Sequence, residues 1–388
     1  MPDIAAAQAR WVKVIDQSVC IGCHACTTAC KSENDVPLGV NRTYVKYVDA
    51  GIFPQVRRSY QVTRCNQCAD APCVAACPTA AMYRRPDGIV DFDKRICVGC
   101  KACMAACPYD AIFINPDDHS AEKCNLCAHR LEIGLEPSCV VVCPVGAILV
   151  GDAGDPTSAV ARIVAEVPTA VRRPEIGTGP NLHYVGAGRE TLDPLAARRP
   201  GGGIFMWSEQ GGDGSRQPAA TADTAPVLAY DVPHRIPWDW RVSLYTWTKG
   251  VAAGAWLVAV ALWVAGTVGF SDDLVRWAAP GTAAVFLALT AGILVWDLEH
   301  PERFWLILLR PQWRSWLVRG GFILSGYALI LGAHLVASVL DAPGLAAAAA
   351  VPGVPLGVMA AVYTAWLFAA CKGRDLWQSR LLPAHLAV

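Results

Sequence analysis

Charge is scarce in this sequence. Asp, Glu, Lys and Arg make up 17% of its 388 residues, while 54% are hydrophobic. That balance is too apolar for an ordinary soluble protein, and the apolar excess lies after about residue 245. Net charge is zero, and no nucleic acid is expected among its partners. The first residues, MPDIAAAQARWVKVIDQSVC, hold no apolar signal core and no twin arginine. Neither an export signal nor the oxidising compartment in which disulfides persist is therefore expected. GAG and GGG stretches lack the GK[ST] and strand–Gly–helix context of a phosphate loop. A second histidine at haem-ligand spacing is also missing beside His334, so haem is not expected.

Cysteine, by contrast, is abundant. Sixteen of 17 lie between Cys20 and Cys143 in four groups of four. Cys20, Cys23, Cys26 and Cys30 form the first, and Cys65, Cys68, Cys73 and Cys77 the second. Cys97, Cys100, Cys103 and Cys107 form the third, and Cys124, Cys127, Cys139 and Cys143 the fourth. The intervals are 2-2-3, 2-4-3, 2-2-3 and 2-11-3, and Pro78, Pro108 and Pro144 follow three of the closing cysteines. An iron–sulfur cube needs four soft thiolates, three from a tight loop and one from elsewhere. Structural zinc uses paired C-x₂-C elements and leaves the third cysteine of each loop unexplained. Four [4Fe–4S] clusters are therefore expected. Cys371, outside the groups, reads as a small apolar residue at a helix end.

Groups one and three share C-[IV]-G-C-[HK]-A-C, and groups two and four share C-N-[QL]-C, the mark of a duplicated unit. Trading fourth cysteines between paired loops gives four ligand sets. These are Cys20, Cys23, Cys26 with Cys143; Cys124, Cys127, Cys139 with Cys30; Cys65, Cys68, Cys73 with Cys107; and Cys97, Cys100, Cys103 with Cys77. Over about residues 11–151 this order and spacing resemble the iron–sulfur subunit of the dimethyl sulfoxide reductase and polysulfide reductase (molybdopterin oxidoreductase) family. The resemblance supports the trading and implies an electron wire between a molybdopterin-type catalytic subunit and a membrane subunit. His24, Lys31 and Lys101, inside the loops, are candidates for tuning cluster potentials.

The expected fold is an α+β ferredoxin-like four-cluster domain over 1–151, then an all-α transmembrane bundle, with a Pro/Gly-rich linker containing docking segments at 152–244. Residues 1–10 read as a frayed arm, 208–228 as a flexible tether, and NLHYVGAGRETLDPL and GGGIFMW as aromatic docking segments. The membrane domain, 245–388, has apolar runs near 251–270, 277–296, 320–340 and 351–371, none containing Asp, Glu, Lys or Arg. Each can cross a hydrocarbon core of about 30 Å. Gly250 with Gly254, and Gly353 with Gly357, offer small faces for helix packing. Arg235, Arg241, Lys249, Arg303, Arg310, Arg314, Arg319, Lys372, Arg374 and Arg380 lie on the cluster side, against Arg276 alone on the other. Under the positive-inside rule this puts the cluster domain in the cytoplasm, on the inner membrane.

The stretches LYTWTKGVAAGA, DLEHPERFWLILLRPQWRSWLVRGGFIL and YTAWLFAACKGRDLWQSRLLP resemble the NrfD/PsrC-like membrane subunit of polysulfide reductase. That family passes electrons to or from a membrane quinone, here menaquinone or ubiquinone. It usually has eight or more helices, so the match covers its front half. A second membrane subunit, or the remainder of the bundle, is an expected partner. Tyr245, Lys249, Asp297, His300 and Arg303, at helix ends on the cluster side, are the candidate quinone residues. No catalytic residue is expected on this chain. It reads as an electron-transfer subunit of a respiratory oxidoreductase complex. Two rivals remain: a non-catalytic anchor with quinone on a partner, and a module of a redox-driven ion-translocating complex.

Overall fold

The computed structural model describes residues 9–52, 54–193, 195–198 and 225–387. The expected arm at 1–10 lies almost wholly outside them, as do GGGIFMW and most of the expected tether. Two compact units are present.

The first unit holds the chain up to Ala71, Tyr83–Phe92 and Tyr109–Arg235. Its main sheet is built on Trp11–Asp16, which pairs antiparallel with Ile148–Asp152 and parallel with Leu182–Val185. A second sheet sets Thr43–Ala50 between Arg57–Arg64 and Val227–Tyr230, all antiparallel. These strands are rich in Val, Tyr and Ile, which suit a pleated, half-buried surface. Ile15, Val45, Val62, Ile148, Leu182 and Tyr184 form a core that also takes in Cys26 and Cys139. The thiols are thus part of the packing.

The described residues between 152 and 235 stay in this unit. Ala159–Glu166 is a helix packed on the sheet, with Val160 buried against Val12 and Val14. Tyr184, in the segment expected to dock, is fully buried and its hydroxyl donates to Val62 O at 2.9 Å. A short strand in a Pro/Gly-rich stretch finds its pairing edge far away in sequence, so local composition does not announce it.

The strand Val227–Tyr230 ends in a buried charge cluster. Asp231 is fully buried, 3.0 Å from Lys46 Nζ and 3.2 Å from His234 Nε2, and His234 Nδ1 lies 2.5 Å from Asp110. Burial pulls the His234 imidazole down, but the two carboxylates outweigh it and hold it at about 9. A histidine raised in the fold adds stability that is complete below its ordinary value near 6.5 and is lost as pH rises through about 9. We predict that protease access to 227–230 increases through pH 9 in the wild type and is already high at pH 7 in His234→Gln. Identical profiles for the two proteins contradict this.

The second unit holds Pro72–Met82, Asp93–Pro108 and the chain from Ile236. Four long apolar helices, each able to span a membrane, cover Trp240–Val264, Leu274–Trp296, Trp316–Val339 and Pro343–Ala369. The first starts well before the expected 251. Its polar residues are satisfied within the unit: Thr246 bonds back to Val242 O, and Thr248 meets Thr290 at 2.8 Å. It stops short of 270 because Gly266 takes a left-handed φ of 73° and breaks the helical run. The fourth starts at Pro343, whose ring suits a first helical turn, and carries Pro352 and Pro355 inside.

Trp256, Ala283, Leu287, Tyr327, Leu331 and Tyr363 form the bundle core. Gly353 lets the fourth helix approach the first, since a Cβ there would stand 2.4 Å from the Trp256 ring. Among the described residues, a Cβ at Gly250 or Gly254 would meet nothing within 4 Å, so the expected close contact is not made by them. His334 accepts from Trp256 Nε1 at 3.3 Å and donates from Nε2 to Val275 O at 2.9 Å, the pattern of a neutral packing histidine.

Candidate cluster ligands and an adjoining cavity

The four cysteine loops share one backbone device. The second residue after the opening cysteine is left-handed in each: Gly22 (φ 68°), Gln67 (47°), Gly99 (66°) and Leu126 (63°). A chain turned this way at the same point wraps its thiols around a common centre, and Gln67 and Leu126 adopt it without glycine's freedom. The cysteines are all free thiols, and 11 of the 16 are buried.

Thiols of different loops neighbour one another inside each unit. Cys20 feels Cys143 and Cys23. Burial pushes the Cys30 thiol up to about 12, and Cys124, Cys139 and Cys127 add to it. In the second unit Cys103 feels Cys100, Cys77 and Cys97. Among the described residues, no three His, Cys, Asp or Glu side chains converge on a point one ion could fill.

The surroundings also fit an anionic centre. Lys13 Nζ lies 3.3 Å from Cys124 Sγ and 3.0 Å from Cys65 O. Arg64 Nη1 lies 2.9 Å from Cys139 Sγ, while its buried Nε and Nη2 have no partner among the described residues. Asn34 Nδ2 approaches Cys30 Sγ at 3.8 Å and Cys127 Sγ at 3.7 Å, and Arg42, paired with Glu122, holds the Asn34 carbonyl. Burial pushes the Cys124 thiol up, but Lys13 and Arg64 pull it down to about 6. Sequence reading missed Lys13, Arg64 and Asn34. The one available signal is a lone lysine amid the apolar strand WVKVID.

His24, Lys31 and Lys101 are differently employed. His24 Nε2 lies 2.8 Å from the Tyr47 hydroxyl. Lys31 donates to Pro37 O and Val40 O. Lys101 donates to Asp297 O at 3.1 Å and pairs with Asp297 Oδ1 and Glu299 Oε1.

Within the second unit the third cysteine loop is clamped to residues 297–303. Glu299 and His300 N–H groups donate to Gly99 O and Val98 O, and Arg303 Nη1 donates to Lys94 O and Cys97 O. Gly99 permits this approach: a Cβ there would stand 2.4 Å from Glu299 Cβ. We predict that Gly99→Ala weakens the clamp, read as faster hydrogen exchange at 297–303; unchanged exchange contradicts it.

Beside this clamp the helices line an apolar cavity of about 500 Å³. Cys100 and Trp238 wall it together with Tyr245, Asp297, Leu324 and Tyr363. Burial holds the Asp297 carboxyl above the usual carboxylate range, although Lys101 and Arg241 oppose the rise. Of the candidate quinone residues, Tyr245 and Asp297 face this cavity. Lys249 stands behind the wall, bonded to Ala361 O and Thr364 Oγ1 and 4.6 Å from the Tyr363 ring centre. His300 and Arg303 line the clamp instead, His300 Nδ1 meeting Glu302 at 2.9 Å. The carbonyls that claim these residues cannot be read from their own positions.

Residues 56–153 match the 4Fe-4S dicluster domain family, and residues 231–388 match the family described as polysulphide reductase, NrfD. A tetrathionate reductase subunit of Salmonella typhimurium is 43% identical over 49% of this chain and 77% of its own length. A putative dimethyl sulfoxide reductase iron-sulfur subunit of Halobacterium salinarum is 37% identical over 58% of this chain and 95% of its own. A polypeptide of the polysulfide reductase of Wolinella succinogenes is 43% identical over 45% of this chain and 94% of its own.

Proposed function

Because this chain belongs to the family of iron–sulfur subunits of membrane reductases, we propose that it links a molybdopterin-type catalytic partner to quinone bound in its own helical unit. It is an iron–sulfur electron-transfer subunit joined to a multi-pass NrfD membrane domain. Under the proposal its cysteines hold four [4Fe–4S] clusters in the traded sets named above, which supply one-electron transfer when bound.

One observation carries the quinone assignment: Cys100 shares a cavity wall with Tyr245 and Asp297. An apolar space of this size suits a ring and the start of its tail. Asp297, half-buried and raised by desolvation, is suited to hold and release a proton at its carboxyl. Lys101 and Arg241 fix that carboxyl at 3.3 and 3.2 Å. Tyr245 supplies a hydroxyl at the same wall.

The proposed orientation keeps the cluster domain in the cytoplasm. Arg241, Lys249 and Arg303 are held by protein partners, and the basic bias survives without them.

The test is quinol-driven reduction of the intact complex with Asp297→Asn and Tyr245→Phe. Loss of a positioned proton-transfer group costs about 10²-fold or more in rate, with dithionite-reducible iron unchanged. Wild-type rates in both variants favour the plain anchor, with quinone on a partner.

A further inference from the structure

Three buried cations gather at one thiol loop. Lys13, Arg64 and Lys123 are each at most 1% exposed. Among the described residues none of them meets a carboxylate. Lys13 reaches Cys124 Sγ and Arg64 reaches Cys139 Sγ. Lys123 donates to the carbonyls of Val90 and Cys124. The neighbouring buried pair shows the contrast: Arg42 is neutralised by Glu122 at 3.0 Å. Cys30 and Cys127, the other members of the proposed set, face the neutral amide of Asn34.

Buried charges persist only when compensated. Here the compensation on offer is thiolate, and one electron entering a centre held by these thiolates adds a further negative charge beside the three cations. Nearby positive charge and hydrogen bonds to sulfur favour the reduced form and raise the potential. Arg64 also lies among the electrostatic neighbours of Cys20 and Cys26, so it stands between two of the proposed sets.

We infer that Lys13 and Arg64, backed by Lys123, are positioning residues that raise the reduction potential of the centre held by Cys30, Cys124, Cys127 and Cys139, making it the station of this wire where an electron rests. This rests on the four-cluster reading. It makes the chain's potentials uneven by design of its protein charges, at residues outside the cysteine motifs.

The experiment is a redox titration of the full chain followed by electron paramagnetic resonance, with iron counted in each sample. In Lys13→Met and in Arg64→Gln, one cluster's reduced-to-oxidised ratio at fixed potential is expected to fall about tenfold, equal to about 59 mV for one electron. In Arg64→Gln the set with Cys20, Cys23 and Cys26 shifts by less, the set of Cys77, Cys97, Cys100 and Cys103 holds its midpoint in both variants, and Arg64→Lys restores the wild-type values. Full iron with every midpoint unmoved overturns the inference, as does an equal shift of all clusters. If Arg64→Gln fails to assemble, Lys13→Met decides; iron loss in that variant too assigns the cations a structural role and overturns the proposal. Low iron in the wild type instead defeats the four-cluster reading, a separate result.

Discussion

Ala288→Phe is expected to cut quinol oxidation by at least about tenfold, or about 1.4 kcal/mol of lost transition-state stabilisation, while leaving iron content at the wild-type level. Ala288 walls the cavity and is exposed, so a phenyl ring there enters the open space without displacing the bundle core. The cavity holds about 500 Å³, near the lower part of the range for small-molecule sites, and a ring occupying it competes directly with a quinone head. Val285→Phe is the control. Val285 lies one turn away, is 59% exposed and is outside the wall, so the same added bulk should leave the rate unchanged. Equal loss in both variants points to bundle damage; no loss in either places quinone elsewhere.

Removing iron is expected to unfold the first unit altogether. Among the described residues its apolar core is divided among small clusters, one of which includes Cys26 and Cys139. Without a centre, Lys13, Arg64 and Lys123 lose their compensation. Stripping the partner from a buried charge costs about 3–5 kcal/mol, and a domain's whole stability is about 5–15 kcal/mol. Losses at these three cations are together of the same order as that whole stability. Chelation under reducing conditions should therefore abolish the far-ultraviolet circular dichroism of the head while the four long helices keep theirs. A native-like head spectrum without iron contradicts this.

The four cysteine loops were legible because their spacing is a local property, and each carries its own left-handed second residue. The apolar helices were legible for the same reason. What stayed hidden depends on distant partners. Leu182–Val185 reads as linker until Trp11–Asp16 is beside it. The start of the first membrane helix was obscured by Thr246, Thr248 and Lys249, whose polar groups are satisfied by backbone carbonyls and facing helices. Tyr245 and Asp297 could be picked from helix ends, but the diversion of His300 and Arg303 to the third cysteine loop could not, since main-chain carbonyls leave no trace in composition. Lys13 and Arg64 carry no motif at all; burial alone reveals them.

Iron and acid-labile sulfide counted on anaerobically prepared full-length chain bear most directly on the relay itself. The account requires about sixteen of each per chain, four from every [4Fe–4S] centre. A yield near half that figure, or zinc in place of iron, contradicts it.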